Sequence, residues 1–161
     1  MTEAQSWAGI RARSAGLLRR RTWRHRLRAG AARLGRFGYP DFLTASATQL
    51  IDQQYADRPQ LRPGLDAILR QAAALASDVT VQARKGFVTL VARRTFAVIR
   101  ATTRQRVDLG LRLADVRPDD DRLLPPGSGL GASTVRLALR TEGDVDERVT
   151  ALLAQALSEN L

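Results

Sequence analysis

The chain reads as an α+β domain: an antiparallel sheet of four to five strands with two flanking helices on one face, preceded by a helical N-terminal segment. Three observations predict it. Apolar residues recur at helical spacing between Leu61 and Asp78, then at every second position in runs between Val79 and Leu113. The connections between those β-rich runs are only a few residues long, too short for the crossover a parallel pair needs. The chain has 161 residues, 44% of them hydrophobic, which is one domain's worth (or one domain and an appendage) with material for a core. Only 5% are aromatic, so that core is built from Leu, Val, Ile and Ala.

Residues 1–38 read as an Arg-rich helical arm. Trp7, Ile10 and Leu17 fall at helical spacing, as do Trp23, Leu27 and Leu34, with arginines between them; Gly16, Gly30, Gly35 and Gly38 interrupt the pattern. Phe37-Gly-Tyr-Pro40 marks a turn. Residues 39–57 read as a helical connector. Asp41 is placed to cap a helix running to about Tyr55, with Phe42, Leu43, Leu50 and Ile51 inward.

The α+β domain is expected over residues 58–161. Arg62-Pro63-Gly64 opens a helix whose Leu65, Ile68, Leu69, Ala72, Leu75 and Ala76 form one stripe, ending near Ser77-Asp78. Val79–Gln82, Phe87–Val91, Thr95–Arg100 and Arg106–Leu113 follow as strands. In the last of these Val107, Leu109, Leu111 and Leu113 point one way, and Arg106, Asp108, Gly110 and Arg112 the other. After an irregular stretch, Ala114–Gly131, a fifth strand spans Thr134–Arg140. Its Val135, Leu137 and Leu139 face inward, Arg136 and Arg140 outward. Asp144 is placed to cap a final helix striped by Val145, Val149, Leu152, Leu153, Ala156 and Leu157.

Charge is distributed unevenly. The 26 basic and 16 acidic residues give a net +10. Ten of the arginines precede Phe37-Gly38, opposed there only by Glu3, so the arm carries +9 and the remainder +1. A basic amphipathic arm binds nucleic acid, lies on an anionic membrane or targets an organelle, and the plain alternative is a small helical subdomain with solvated arginines. Lys85 is the sole lysine. Arginine forks grip phosphate in two-toothed fashion, although a GC-rich coding bias produces the same preference.

Several kinds of chemistry are excluded or thin. Without cysteine there is no disulfide, thiol nucleophile, iron–sulfur cluster or Cys-based zinc site. His25 is the only histidine and stands among arginines, so no multi-His metal site is expected. No apolar run approaches the roughly 20 residues that span a bilayer, and no apolar secretory segment follows the basic start, so a cytoplasmic protein is expected. Gly127-Ser-Gly-Leu-Gly131 lacks the spacing and strand-to-helix setting of a phosphate loop and reads as a connector. Asp119-Asp120-Asp121 has the carboxylates for Mg²⁺ but no neighbouring base, and reads as a solvated loop. No acid–base pair or nucleophile with its histidine stands out, so neither catalytic residues nor a cofactor are expected.

The residues that remain are cations. In the arm these are Arg19, Arg20, Arg21, Arg24, Arg26 and Arg28. On the outward sheet face they are Arg106 and Arg112, joined by Arg136 and either Arg100 or Arg104, with Lys85 and Arg84 at a nearby hairpin end. No aromatic side chain shares the outward positions of the fourth and fifth strands, which disfavours base stacking there. Asp108 beside Arg106 and Arg112 reads as ordinary ion pairing on a solvated face.

Strings spread along the chain resemble the bacterial domain-of-unknown-function 5655 family. They are Phe37-Gly-Tyr-Pro-Asp-Phe-Leu43, Leu50-Ile-Asp-Gln-Gln-Tyr-Ala-Asp57, Leu61-Arg-Pro63 and Asp78-Val-Thr-Val-Gln-Ala-Arg-Lys85. More specific are Arg94-Thr-Phe-Ala-Val98 and Thr102-Thr-Arg-Gln-Arg-Val-Asp-Leu-Gly-Leu-Arg-Leu113. The resemblance runs from about Phe37 to Asn160 and implies a small α+β domain with no established activity. Some relatives look like fusions to nuclease-type domains. The family commonly has Thr after the lysine matching Lys85, where this chain has Gly86, and its usual helical domain before Phe37 is here a shorter, Arg-rich segment.

The functional expectation is therefore a non-catalytic binding protein, with the arm as an electrostatic contact to DNA or RNA. The alternatives are a small-anion site on the Lys85/Arg106 face and an interaction module whose arm docks on an acidic protein.

Overall fold

A computed structural model describes residues 43–76, 78–114, 118–125 and 130–161. The Arg-rich arm, Asp41, Phe42 and most of the glycine-rich stretch lie outside them.

The helices begin where side chains or proline settle the first-turn amides. Helix α1, Ala45–Tyr55, is capped by Thr44, whose Oγ1 accepts from the Ala47 amide at 3.2 Å; the first helical residue is four positions after Asp41. A 3-10 turn, Pro59–Leu61, leads into α2, Arg62–Leu75. No side chain caps α2, but Pro63 lies in its first turn, where a missing N–H costs nothing. Helix α3, Glu147–Glu159, starts later than expected. Asp144 is engaged in a reciprocal cap with Thr141 around a 3-10 turn, Glu142–Asp144, and its carboxylate also takes the Arg140 amide. Asp146 caps α3 instead, accepting from Val149 N–H at 3.0 Å.

The five strands are β1 Thr80–Ala83, β2 Val88–Val91, β3 Thr95–Arg100, β4 Val107–Leu111 and β5 Val135–Leu139. They pair antiparallel in sequence order, as the short connections from β1 to β4 require; β5 joins after the long connection 112–134. One irregularity interrupts the ladder. Val91 faces Thr95 while Leu90 faces Ala97, so Phe96 is an extra bulged residue, and it is fully buried in the core.

The register stacks one aliphatic face. Val81, Leu90, Ala97, Leu111 and Val135 form one row across all five strands, with Val88, Ile99, Leu109 and Leu137 in the next. The expected α2 stripe and the α3 stripe from Val149 to Leu157 pack on this face. Ile51 and Tyr55 of α1 belong to the same cluster, so α1 joins the two predicted helices on it and packs along β1. Val145, expected within the last helix, precedes it and packs at the core's margin.

The opposite face of the sheet departs from the sequence reading. Asp108 and Gly110, expected to face solvent, are both buried, as is Val98. The β4–β5 connection covers Gly110. Leu130 and Ser133 lie so close above Gly110 that a Cβ there would stand 2.5 Å from Ser133 Oγ and 3.2 Å from Leu130 Cβ. The same connection protects the edge of β5, because the Leu124 amide donates to Arg136 C=O and the Ala138 amide to Arg122 C=O. Thr134 ties its return to β4 by accepting from the Leu113 amide at 2.9 Å and donating to Leu113 C=O at 2.6 Å.

Candidate functional site

Antiparallel order sorts the candidate cations between two ends of the sheet. The β1–β2 turn (84–87), the β3–β4 turn (101–106) and the exit of β5 (140–141) share one end, here called the hairpin end. Arg84, Lys85, Arg100, Arg104, Arg106 and Arg140 therefore gather there. Arg112 does not. It lies past the far end of β4, about 20 Å from Arg106 at roughly 3.3 Å per residue, beside Asn160, whose side chain donates to its carbonyl. The proposed trio of Lys85, Arg106 and Arg112 is thus split, with two members at one end and one at the other.

The hairpin end is held by polar side chains from the α1–α2 corner. Gln54 donates to the carbonyls of Arg84 and Phe87 in the first turn. Arg58 Nη1 donates to Ala101 C=O at 2.8 Å and Gln60 Nε2 to Arg104 C=O at 2.6 Å in the second. These bonds take the carbonyls of both turns and leave Lys85 and Arg104 with exposed side chains. Arg58 also forks onto Asp57 at 3.0 Å and 3.2 Å; that hydrogen bond draws the Asp57 carboxyl below its usual range and pushes the guanidinium up.

Most acids near this end are engaged by the fold. Asp108 has a fully buried side chain and accepts from Arg106 Nε at 2.9 Å and from Arg136 Nη2. The cross-strand pairing read at Asp108 is real, but its partners are Arg106 and Arg136, and it is sealed beneath them. Asp52 and Asp66 hold Arg62, and Glu142 holds Arg70. Among the described residues, no carboxylate pairs with the guanidinium of Arg84, Arg100, Arg104 or Arg140, or with the ammonium of Lys85.

Asp120, read as part of a solvated triplet, is a structural anchor. Its carboxylate accepts from Arg122 Nε at 2.8 Å and Nη2 at 2.6 Å, and only 4% of its side chain is exposed. That hydrogen bond, ahead of every other influence, lowers its pKa to about 2. Arg122 also donates to Asp144 C=O and pairs with Asp146, so one guanidinium fastens the loop to the start of α3. Burial alone would raise the Asp146 carboxyl, but the Val149 amide and Arg122 outweigh it and the net direction is down. Asp119 and Asp121 are exposed, and the described residues contain no acidic or histidine cluster fit to hold a metal ion.

Sequence reasoning missed the burial of Asp108, the Arg122 anchor and the clamps from Gln54, Arg58 and Gln60. The connection did carry one signal of a covered sheet face: Leu130 is an apolar residue in a polar stretch, and it is buried against Gly110. The clamps leave no pattern, because each is a side chain reaching a carbonyl 30 or more positions away.

An α+β domain with a five-stranded antiparallel sheet and a cationic hairpin end defines a class of small protein that fits the family resemblance. The sequence profile of the domain of unknown function DUF5655 matches residues 51–159, and the chain belongs to that family. The match begins inside α1, so the Phe37–Leu43 string stands before it. No curated protein and no solved structure matches the chain. Among the described residues, no helix is long and apolar enough to cross a membrane.

Proposed function

We propose that this is a non-catalytic, nucleic-acid-binding protein of the bacterial cytoplasm, which grips phosphates with its arginine arm and with the hairpin end of its sheet. One observation carries the reading. The fold pairs Arg62, Arg106, Arg122 and Arg136 with carboxylates, while Lys85, Arg100 and Arg104 on turns and strand ends of the hairpin end are exposed without a carboxylate partner among the described residues, as are Arg93 and Arg94 in the β2–β3 turn at the opposite end. The hairpin end holds the group that gathers on two turns, and a group of unpaired cations is the electrostatic footprint of a polyanion site. The arm supplies Arg19, Arg20, Arg21, Arg24, Arg26 and Arg28 to the same task.

The site grips by charge. The charged side chains exposed at its turns are Arg and Lys, and the aromatic residue there, Phe87, is half-buried, so phosphates more than stacked bases are the target. The small-anion alternative is less well supported, because Arg106 is already bonded to Asp108. Electrophoretic shift of DNA and of RNA at two salt concentrations tests the proposal. Binding is expected at low salt, weakened by changing the six arm arginines to Gln and further by Lys85→Ala with Arg104→Ala. A chain that shifts neither nucleic acid contradicts it, and capture of an acidic protein in its place would favour the interaction module.

A further inference from the structure

The two edges of the sheet are unlike. The outer edge of β5 is closed by residues 122–124, whereas no described residue hydrogen-bonds to the outer edge of β1. The Arg84 amide donates to Phe87 C=O at 2.8 Å, which makes Arg84–Phe87 a bonded pair of the β1–β2 ladder. By alternation Gln82 and Thr80 also bond inward, and the N–H and C=O groups of Val79, Val81 and Ala83 point out of the sheet. An edge of this kind is a template for another strand unless something blunts it.

We propose that the occupant is a second copy of this chain, with β1 pairing antiparallel to β1 about a two-fold axis at Val81. The order of residues argues for it. When Val81 faces its own counterpart, Asp78 faces Arg84 of the other copy, Thr80 faces Gln82, and Val79 faces Ala83. Each of these pairs then occurs twice, the self-complementarity that a two-fold interface needs. Asp78, Thr80, Gln82 and Arg84 are all exposed and share one face, so the charged pairs form beside the ladder without desolvating the core. Val79, Val81 and Ala83 lie on the aliphatic face and continue it into the second sheet. Within the chain Asp78 lies across from Arg93 in the extended register but forms no ion pair among the described residues, and the Arg84 guanidinium has Gln82 Oε1 at 3.3 Å as its one hydrogen-bond partner among them. The opposite charges thus stand at the two ends of the open edge. The result is a ten-stranded sheet with its two hairpin ends pointing in opposite directions. This inference is independent of the ligand.

Sedimentation velocity on the full chain over a concentration series tests it, with Asp78→Arg, Arg84→Asp and the double reversal. The wild type is expected to associate to a dimer. Each single reversal sets like charges opposite one another twice and is expected to weaken association roughly tenfold, and the double reversal restores it. Five residues, including all of β1, separate the two positions within one chain, so restoration requires a second copy. Circular dichroism on every variant verifies the fold. A wild type that stays monomeric, a dimer indifferent to the single reversals, or a double reversal that does not recover each overturns the proposal.

Discussion

The two faces of the sheet are built from the same five strands but by different chemistry. On one, every strand contributes aliphatic side chains to a core shared with three helices. On the other, a buried carboxylate, Asp108, sits between Arg106 and Arg136, and a loop presses Leu130 and Ser133 onto Gly110. The first face stabilises through area removed from water, which tolerates any aliphatic side chain of similar size. The second depends on particular partners, because a buried charge is costly once its counter-charge is gone. The second face also determines which cations remain for outside contact: those joined to Asp108 are engaged, and those on the turns beyond it are not.

Substitutions at adjacent β4 positions sharpen this contrast, since Leu109 and Asp108 point to opposite faces. Leu109→Ala removes a fully buried side chain from the core and is expected to cost about 4 kcal/mol of stability in denaturant unfolding. Asp108→Ala leaves Arg136, mostly buried, without its carboxylate, and is expected to cost about 3 kcal/mol. If Asp108→Ala is neutral, the second face is not held by its ions. Gly110→Ala forces a methyl group against Ser133 and is expected to cost about 2 kcal/mol, with Ser133→Gly relieving part of the loss.

A smaller effect is expected from acid. The Asp120 carboxyl is depressed to about 2 from an ordinary value of 3.8, so its bond to Arg122 contributes stability above about pH 4 that is lost as pH falls toward 2. Thermal melts of the wild type and Asp120→Asn between pH 2 and pH 6 should differ most at the upper end and converge at the lower. A constant gap would remove the Asp120–Arg122 pair as the cause.

The contrast between faces also explains how much could be read beforehand. The aliphatic face was legible because alternation over Val107, Leu109 and Leu111 needs no knowledge of partners. Strand order followed from connection length, and the α2 stripe from its spacing. The other face was not legible, because whether Asp108 meets water depends on how Arg106 and Arg136 fold over it, and whether Gly110 does depends on where a long irregular connection settles. Cap positions failed for a related reason: Asp144 and Asp146 are both suited to the role, and only the fold shows that Asp144 is already bonded to Arg140 and Thr141. The candidate cations were all visible as residues. Their division between two ends of the sheet was not, since it requires the direction of each strand.

The central claim is that cations left unpaired by the fold, together with the arm, hold a nucleic acid by its phosphates. The most direct measurement is the slope of log affinity for duplex DNA against log salt, for the wild type and for the chain with Arg19, Arg20, Arg21, Arg24, Arg26 and Arg28 changed to Gln. With each arginine neutralising one phosphate, the loss of six should make the slope shallower by about five. An unchanged slope, or an affinity indifferent to salt, would contradict it.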